Sequence, residues 1–144
     1  MSVGLAIFVK TPGHSPIKTR LAATQGSAFA EACHRRASAA VAAVCSLAEA
    51  EGLLHAHWAV AEDVAAARAQ WTGLPVLGQG EGGLGERMQR VHQGLAERFH
   101  GGLLVGADAP QIGVEHLRLA AGWLRAAEPR CVLGPATDGG FWLF

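Results

Sequence analysis

Two stretches of this chain, residues 4–9 and 102–107, are apolar at every position, so as strands they must be buried on both faces. Segments with helical spacing lie between and after them. That alternation predicts an α/β chain: three layers, α/β/α, around a mostly parallel sheet with crossover helices. Further strands are read at 54–60, at 75–77, at 131–133 (stopped by Gly134-Pro135) and at 141–144. Ser27 is read as the cap of a long helix ending near Gly52, with an apolar stripe of Phe29, Cys33, Ala37, Ala40, Val44 and Leu47. A short helix is read over 62–71, with Asp63 in its first turn. Leu84, Met88, Val91, Leu95 and Phe99 form one face of another helix, and Val114, Leu117, Ala121 and Leu124 mark the last. Residues 10–26 and the Gly-rich 78–83 read as loops.

No repeat or linker interrupts this order, and 144 residues make one domain, 1–144. The net charge is zero and no basic run exists, which argues against nucleic acid as a partner. No apolar run reaches the roughly 18 residues that span a bilayer, and the first residues lack a signal-peptide core. No membrane insertion and a cytoplasmic location are therefore expected. Cys33, Cys45 and Cys131 read as buried, reduced thiols. The chain ends on four large apolar residues, 141–144, where a solvated tail is usual. The expectation is a last strand that continues in a longer parent chain or is covered by a partner. An exposed strand edge of this kind also invites a homodimer.

The charges are unevenly placed. Both lysines, Lys10 and Lys18, sit with Arg20 in the loop after the first strand. Open α/β sheets bind ligands at the carboxyl ends of their strands, and such a loop suits a polyphosphate, although a solvated loop with chance charges looks the same. Of three aspartates, Asp108 and Asp138 each follow a predicted strand. Two carboxylates at one sheet edge can meet a hard cation such as Mg²⁺; each is equally a turn former. In residues 82–88, Gly-Gly-Leu-Gly-Glu-Arg-Met, loop runs into helix, so free backbone N–H groups could receive an anion or a base edge. It is neither a dinucleotide fingerprint nor a Walker A loop. His55 and His57 share a strand face but lack a third ligand, which favours packing.

Several segments in order carry a resemblance: Ala6-Ile7-Phe8-Val9-Lys10 with Pro12-Gly13, Lys18-Thr19-Arg20-Leu21, Leu84-Gly85-Glu86-Arg87-Met88, Gly106-Ala107-Asp108-Ala109-Pro110 and Gly134-Pro135-Ala136-Thr137-Asp138-Gly139-Gly140-Phe141. The chain resembles bacterial glycosyltransferase-like proteins of the nucleotide-diphospho-sugar transferase superfamily. It is more distantly similar to phospholactate guanylyltransferases and molybdenum-cofactor guanylyltransferases. The resemblance implies a GT-A fold and a transferase using a nucleotide or NDP-sugar, an unidentified small-molecule acceptor, and Mg²⁺ or Mn²⁺. It implies that Asp108 holds the metal and that Lys18 and Arg20 face the phosphates. It places Asp138 near the acceptor or metal, with Lys18 and Arg20 beside it in the catalytic set. The nucleotide-binding set reads Val9, Lys10, Lys18, Thr19, Arg20, Gly83, Gly85 and Arg87. Two departures stand out. Gly83 replaces the Asp usual before Leu-Gly-Glu-Arg-Met, and relatives continue for tens of residues past the Asp-Gly-Gly strand, so the chain looks truncated at its C-terminus. Nucleotidyl transfer to a phosphorylated small molecule needs the same parts, and a non-catalytic nucleotide-binding module or incomplete subunit is the third reading.

Overall fold

The apolar runs do become the centre of the sheet. In a computed structural model, which describes residues 2–144, β1 is Val3–Val9, β2 His55–Val60, β3 Val76–Gly78, β4 Gly101–Gly106, β5 Gly134–Pro135 and β6 Phe141–Leu143. They form one six-stranded sheet in the order β3-β2-β1-β4-β6-β5. β1, β2, β3 and β4 are parallel; β6 runs antiparallel to β4, and β5 antiparallel to β6. The helices are α1 (Thr19–Gln25), α2 (Ser27–Ala50), α3 (Val64–Ala67), α4 (Leu84–Arg98) and α5 (Val114–Leu124).

The two faces of β1 explain the layers. Val3, Leu5, Ile7 and Val9 point to one side, into a core shared with Val41 and Cys45 of α2 and Leu117 and Ala121 of α5. Ala6 points to the other, against Val91 and Leu95 of α4. A strand buried on both sides must be apolar throughout, which is what residues 4–9 show.

Several expectations need correction. Residues 19–25, read as loop, form α1; the helix has no buried residue, so no apolar stripe announces it. Ser27 is the first helical residue of α2, and the cap position falls to Gly26, with no side-chain cap. The buried stripe of α2 is Ala30, His34, Ser38, Val41, Cys45 and Ala48, one residue on from that expected. Phe29 and Leu47 stand 52% and 59% exposed. Small and polar residues make up most of the buried face of α2, so size alone points to the wrong face. Cys131–Leu133 is not a strand: Cys131 and Leu133 are exposed, and pairing begins at Gly134 with an irregular register. Asp63 is the cap of α3, accepting from the Ala66 N–H at 3.1 Å. Cys45 is sealed in the core, which pushes its thiol pKa up to about 12 and leaves it inert. No helix among the described residues is long and apolar enough to cross a membrane.

Candidate functional site

The parallel strands β1, β2 and β4 end together, and a cleft of about 690 Å³ opens above them. Its walls come from the loop after β1 (Val9, Lys10, Ile17, Lys18, Thr19), from Gln79 and Gly82, from Leu84 and Arg87 of α4, and from Gly106 to Asp108 after β4.

The loop after β1 is tied down by a polar network. Thr11 is fully buried and donates to Glu62 twice, from its N–H and from its hydroxyl, each at 2.7 Å. The Ser15 hydroxyl donates to the same carboxylate. Trp71 donates its indole N–H to the Thr11 hydroxyl oxygen at 2.8 Å. His34 donates to the Lys10 carbonyl at 2.8 Å, and Gln70 to the Pro12 carbonyl at 3.0 Å. Burial pushes the Glu62 pKa up, but the hydrogen bonds from Ser15 and Thr11 outweigh it and leave the carboxyl below its ordinary value.

The anchored loop delivers Lys18 in a left-handed backbone conformation, φ +42°, at the start of α1. From there its Nζ reaches across the cleft mouth to Asp108 Oδ1 at 2.8 Å. Arg87 leans in from α4, with Nε donating to the Gly82 carbonyl at 2.9 Å and Nη1 to the Ala61 carbonyl at 3.3 Å.

Of the residues singled out in the sequence, Val9, Lys10, Lys18, Thr19, Arg87 and Asp108 line the cleft. Arg20 is exposed on α1 outside it. Gly83 and Gly85 flank the cleft residue Leu84 without lining the cleft themselves, and the Gly83 N–H donates to Glu86 at 2.7 Å. Asp138 lies in the turn before β6. Because β6 is antiparallel to β4, that turn sits at the same sheet end as Asp108. The Asp138 carboxylate is exposed, accepts from the Gly140 N–H at 2.9 Å, and does not line the cleft. His55 and His57 pack on Phe99, with ring centroids 5.4 Å and 5.8 Å away, as their spacing without a third ligand suggests.

Sequence reading passed over Thr11, Glu62, Gln79 and His34. Glu62 follows the buried strand β2 just as Asp108 follows β4, and that parallel was the available signal.

Among the described residues no three His, Cys, Asp or Glu side chains converge on one point. Asp108, its side chain 70% exposed, is paired with Lys18. Mg²⁺ is ordinarily held by one or two carboxylates together with substrate phosphates and waters. The donor set therefore fits a cation shared with a bound phosphate, and does not fit one held by protein groups alone.

Residues 41–144 match the model of a family described as uncharacterized proteins conserved in bacteria (DUF2064). No curated protein matches the chain. Among solved structures, it is similar to a "putative nucleotide-diphospho-sugar transferase" from Desulfovibrio desulfuricans G20, with a TM-score of 0.76 and 26% sequence identity. The similarity covers 99% of this chain and 62% of that one, so the chain spans about three fifths of that structure's length. The mixed α/β architecture is shared along essentially the whole of this chain.

Proposed function

This chain belongs to the DUF2064 family of bacterial proteins, and we propose that it is a glycosyltransferase-like enzyme binding a nucleotide-diphospho-sugar in the cleft above β1. One observation carries the reading: Lys18 and Asp108 meet at 2.8 Å across the mouth of a cleft at the carboxyl ends of parallel strands. That position is where open α/β sheets take their ligands.

The chemistry follows from charge. Breaking the bond between sugar and diphosphate leaves the electron pair on the departing nucleoside diphosphate, which gains negative charge. The Lys18 ammonium, already at the cleft mouth, turns from Asp108 to a phosphate oxygen and stabilises that charge. Arg87, also on the cleft wall, adds a second positive charge to the site as a whole. Asp108, released from Lys18, would hold Mg²⁺ or Mn²⁺ jointly with the diphosphate. The metal when bound supplies Lewis-acid stabilisation of the phosphate oxygens. The Thr11–Glu62 network keeps the loop, and so Lys18, in position before substrate arrives, so little reorganisation accompanies binding.

Both side chains of the pair are partly or largely open to solvent, so their removal should leave the fold intact. Removing one such contact to a developing charge typically costs ~2.7–4 kcal/mol of barrier, about 10²–10³ in turnover. Cleavage of NDP-sugars, with Mg²⁺ or Mn²⁺ present, is therefore expected to fall by that factor in Lys18→Ala and in Asp108→Ala. Full metal-dependent turnover by Asp108→Ala would sink the reading. Pyrophosphate release from an NTP would redirect it to nucleotidyl transfer, and tight nucleotide binding without turnover to a binding module.

A further inference from the structure

Gln79 is an odd residue to find at the bottom of this cleft. It is only 4% exposed, yet it forms part of the wall. Its backbone is fully engaged: the N–H donates to the Val60 carbonyl at 2.9 Å, and its carbonyl accepts from Arg90 Nη1 at 2.7 Å. Its side-chain nitrogen donates to the Ala59 carbonyl at 2.8 Å and points to the Val9 carbonyl at 3.5 Å. Both of those partners are carbonyl oxygens, so the amide can sit only one way round; flipped, it would set oxygen against oxygen. The side-chain oxygen is thereby turned from the strands to the cleft, and among the described residues nothing donates to it.

We propose that this oxygen is the base-reading group of the cleft, selecting a nucleobase with a ring N–H beside a carbonyl, the lactam edge of uracil or guanine. The inference rests on the nucleotide reading above and deepens it by naming the base class. Three backbone oxygens at this end already have donors: Val9 from Ala61, Lys10 from His34, and Ala61 from Arg87. One open acceptor is matched by one ring N–H. Adenine and cytosine carry no ring N–H at that edge and would have to offer an exocyclic amino group instead, a mode that methylation of a ring nitrogen tells apart. Arg87 has Nε and Nη1 committed to backbone carbonyls, which leaves Nη2 to donate to a base carbonyl. The placement also suits a nucleotide. Gln79 reaches over β2 and β1, while Asp108 lies past β4 on the other side of β1. Two strand spacings, on the order of 10 Å, separate the base end from the diphosphate end.

The test is calorimetric titration of the unmodified protein, with Mg²⁺ present, using UDP, GDP, ADP, CDP, N3-methyl-UDP and N1-methyl-GDP. UDP or GDP is expected to bind at least about tenfold tighter than ADP and CDP, and methylation of its ring nitrogen to remove that advantage. Which of the two binds tighter identifies the base. Gln79→Leu, checked for folding by circular dichroism, should bind the parent and the methylated nucleotide alike. Equal affinity for the methylated and parent nucleotides in the unmodified protein overturns the inference and leaves nucleotide binding standing. Tightest binding of ADP or CDP does the same. No binding of any nucleotide overturns both.

Discussion

Glu62 and Lys18, both half-buried, mark the two ends of one arrangement, the first anchoring and the second reaching. The left-handed backbone at Lys18 costs a side-chain-bearing residue roughly 1–2 kcal/mol, and the chain sustains it because the loop behind it is over-determined. Three hydrogen bonds converge on the Glu62 carboxylate, one of them from a backbone N–H of the fully buried Thr11. Glu62→Ala leaves that N–H without a partner, and a loss of about 1.5–3 kcal/mol in urea unfolding is expected. The pH dependence has a fixed sign. The folded pKa of Glu62 lies below its unfolded value, so the stabilisation is complete above the unfolded pKa and is lost as pH falls through the folded one. The stability difference between the unmodified protein and Glu62→Gln should therefore shrink as pH drops below the ordinary carboxylate range. A difference that stays constant across that range would show that Glu62 acts by shape and not by charge. Asp108 drew notice in the sequence because the chain has only three aspartates and this one follows an apolar run within a segment that carries the family resemblance. Glu62 follows β2 in the same way but was absorbed into a helix start, where carboxylates are commonplace.

The position of Arg87 and Leu84 depends on how closely α4 sits on the sheet. Gly4 and Gly102 lie under this helix. A Cβ at Gly102 would come 3.1 Å from Leu95 Cβ and 3.2 Å from the His92 carbonyl oxygen, and one at Gly4 would press on Phe99. Helix backbone cannot yield as a flexible side chain does, so Gly102→Val should lift α4. We expect a loss of about 1–3 kcal/mol in denaturant unfolding, the usual penalty of overpacking. A Gly102→Val protein as stable as the original, with unchanged m-value, would show that α4 moves without resistance. The make-up of each buried face decides what the sequence could reveal. α4 was legible because its inner face carries Met88, Val91, Leu95 and Phe99 against a polar remainder. α2 was legible as a helix but not in its rotation, since alanine, serine and histidine occupy its inner face while Phe29 and Leu47 point out. α1 carries no buried residue at all, and β5 is two residues long; neither offers a periodic pattern to read.

At the scale of the whole molecule, the cleft is assembled from segments far apart in the chain. Lys18 and Asp108 are joined only because β1 and β4 are neighbours in the sheet. A ligand bridging them therefore binds the folded state and not the unfolded chain, and must raise stability by mass action. The gain is about 2.7 kcal/mol at a hundredfold excess over Kd. For a domain of this size that is on the order of 5–10 °C in Tm. The Lys18–Asp108 pair predicts how metal and nucleotide share the effect. With the ammonium beside its carboxylate and no cluster of three ligating side chains among the described residues, Asp108 offers little to a free cation. Mg²⁺ or Mn²⁺ alone should leave Tm nearly unchanged. Nucleotide draws Lys18 away and adds phosphate oxygens, so the two together should shift Tm by more than the sum of each alone. Asp108→Asn should abolish that excess while keeping the shift from nucleotide by itself. Strictly additive shifts would mean that metal and nucleotide do not meet at Asp108, and the carboxylate would then serve only to hold Lys18 at the mouth of the cleft.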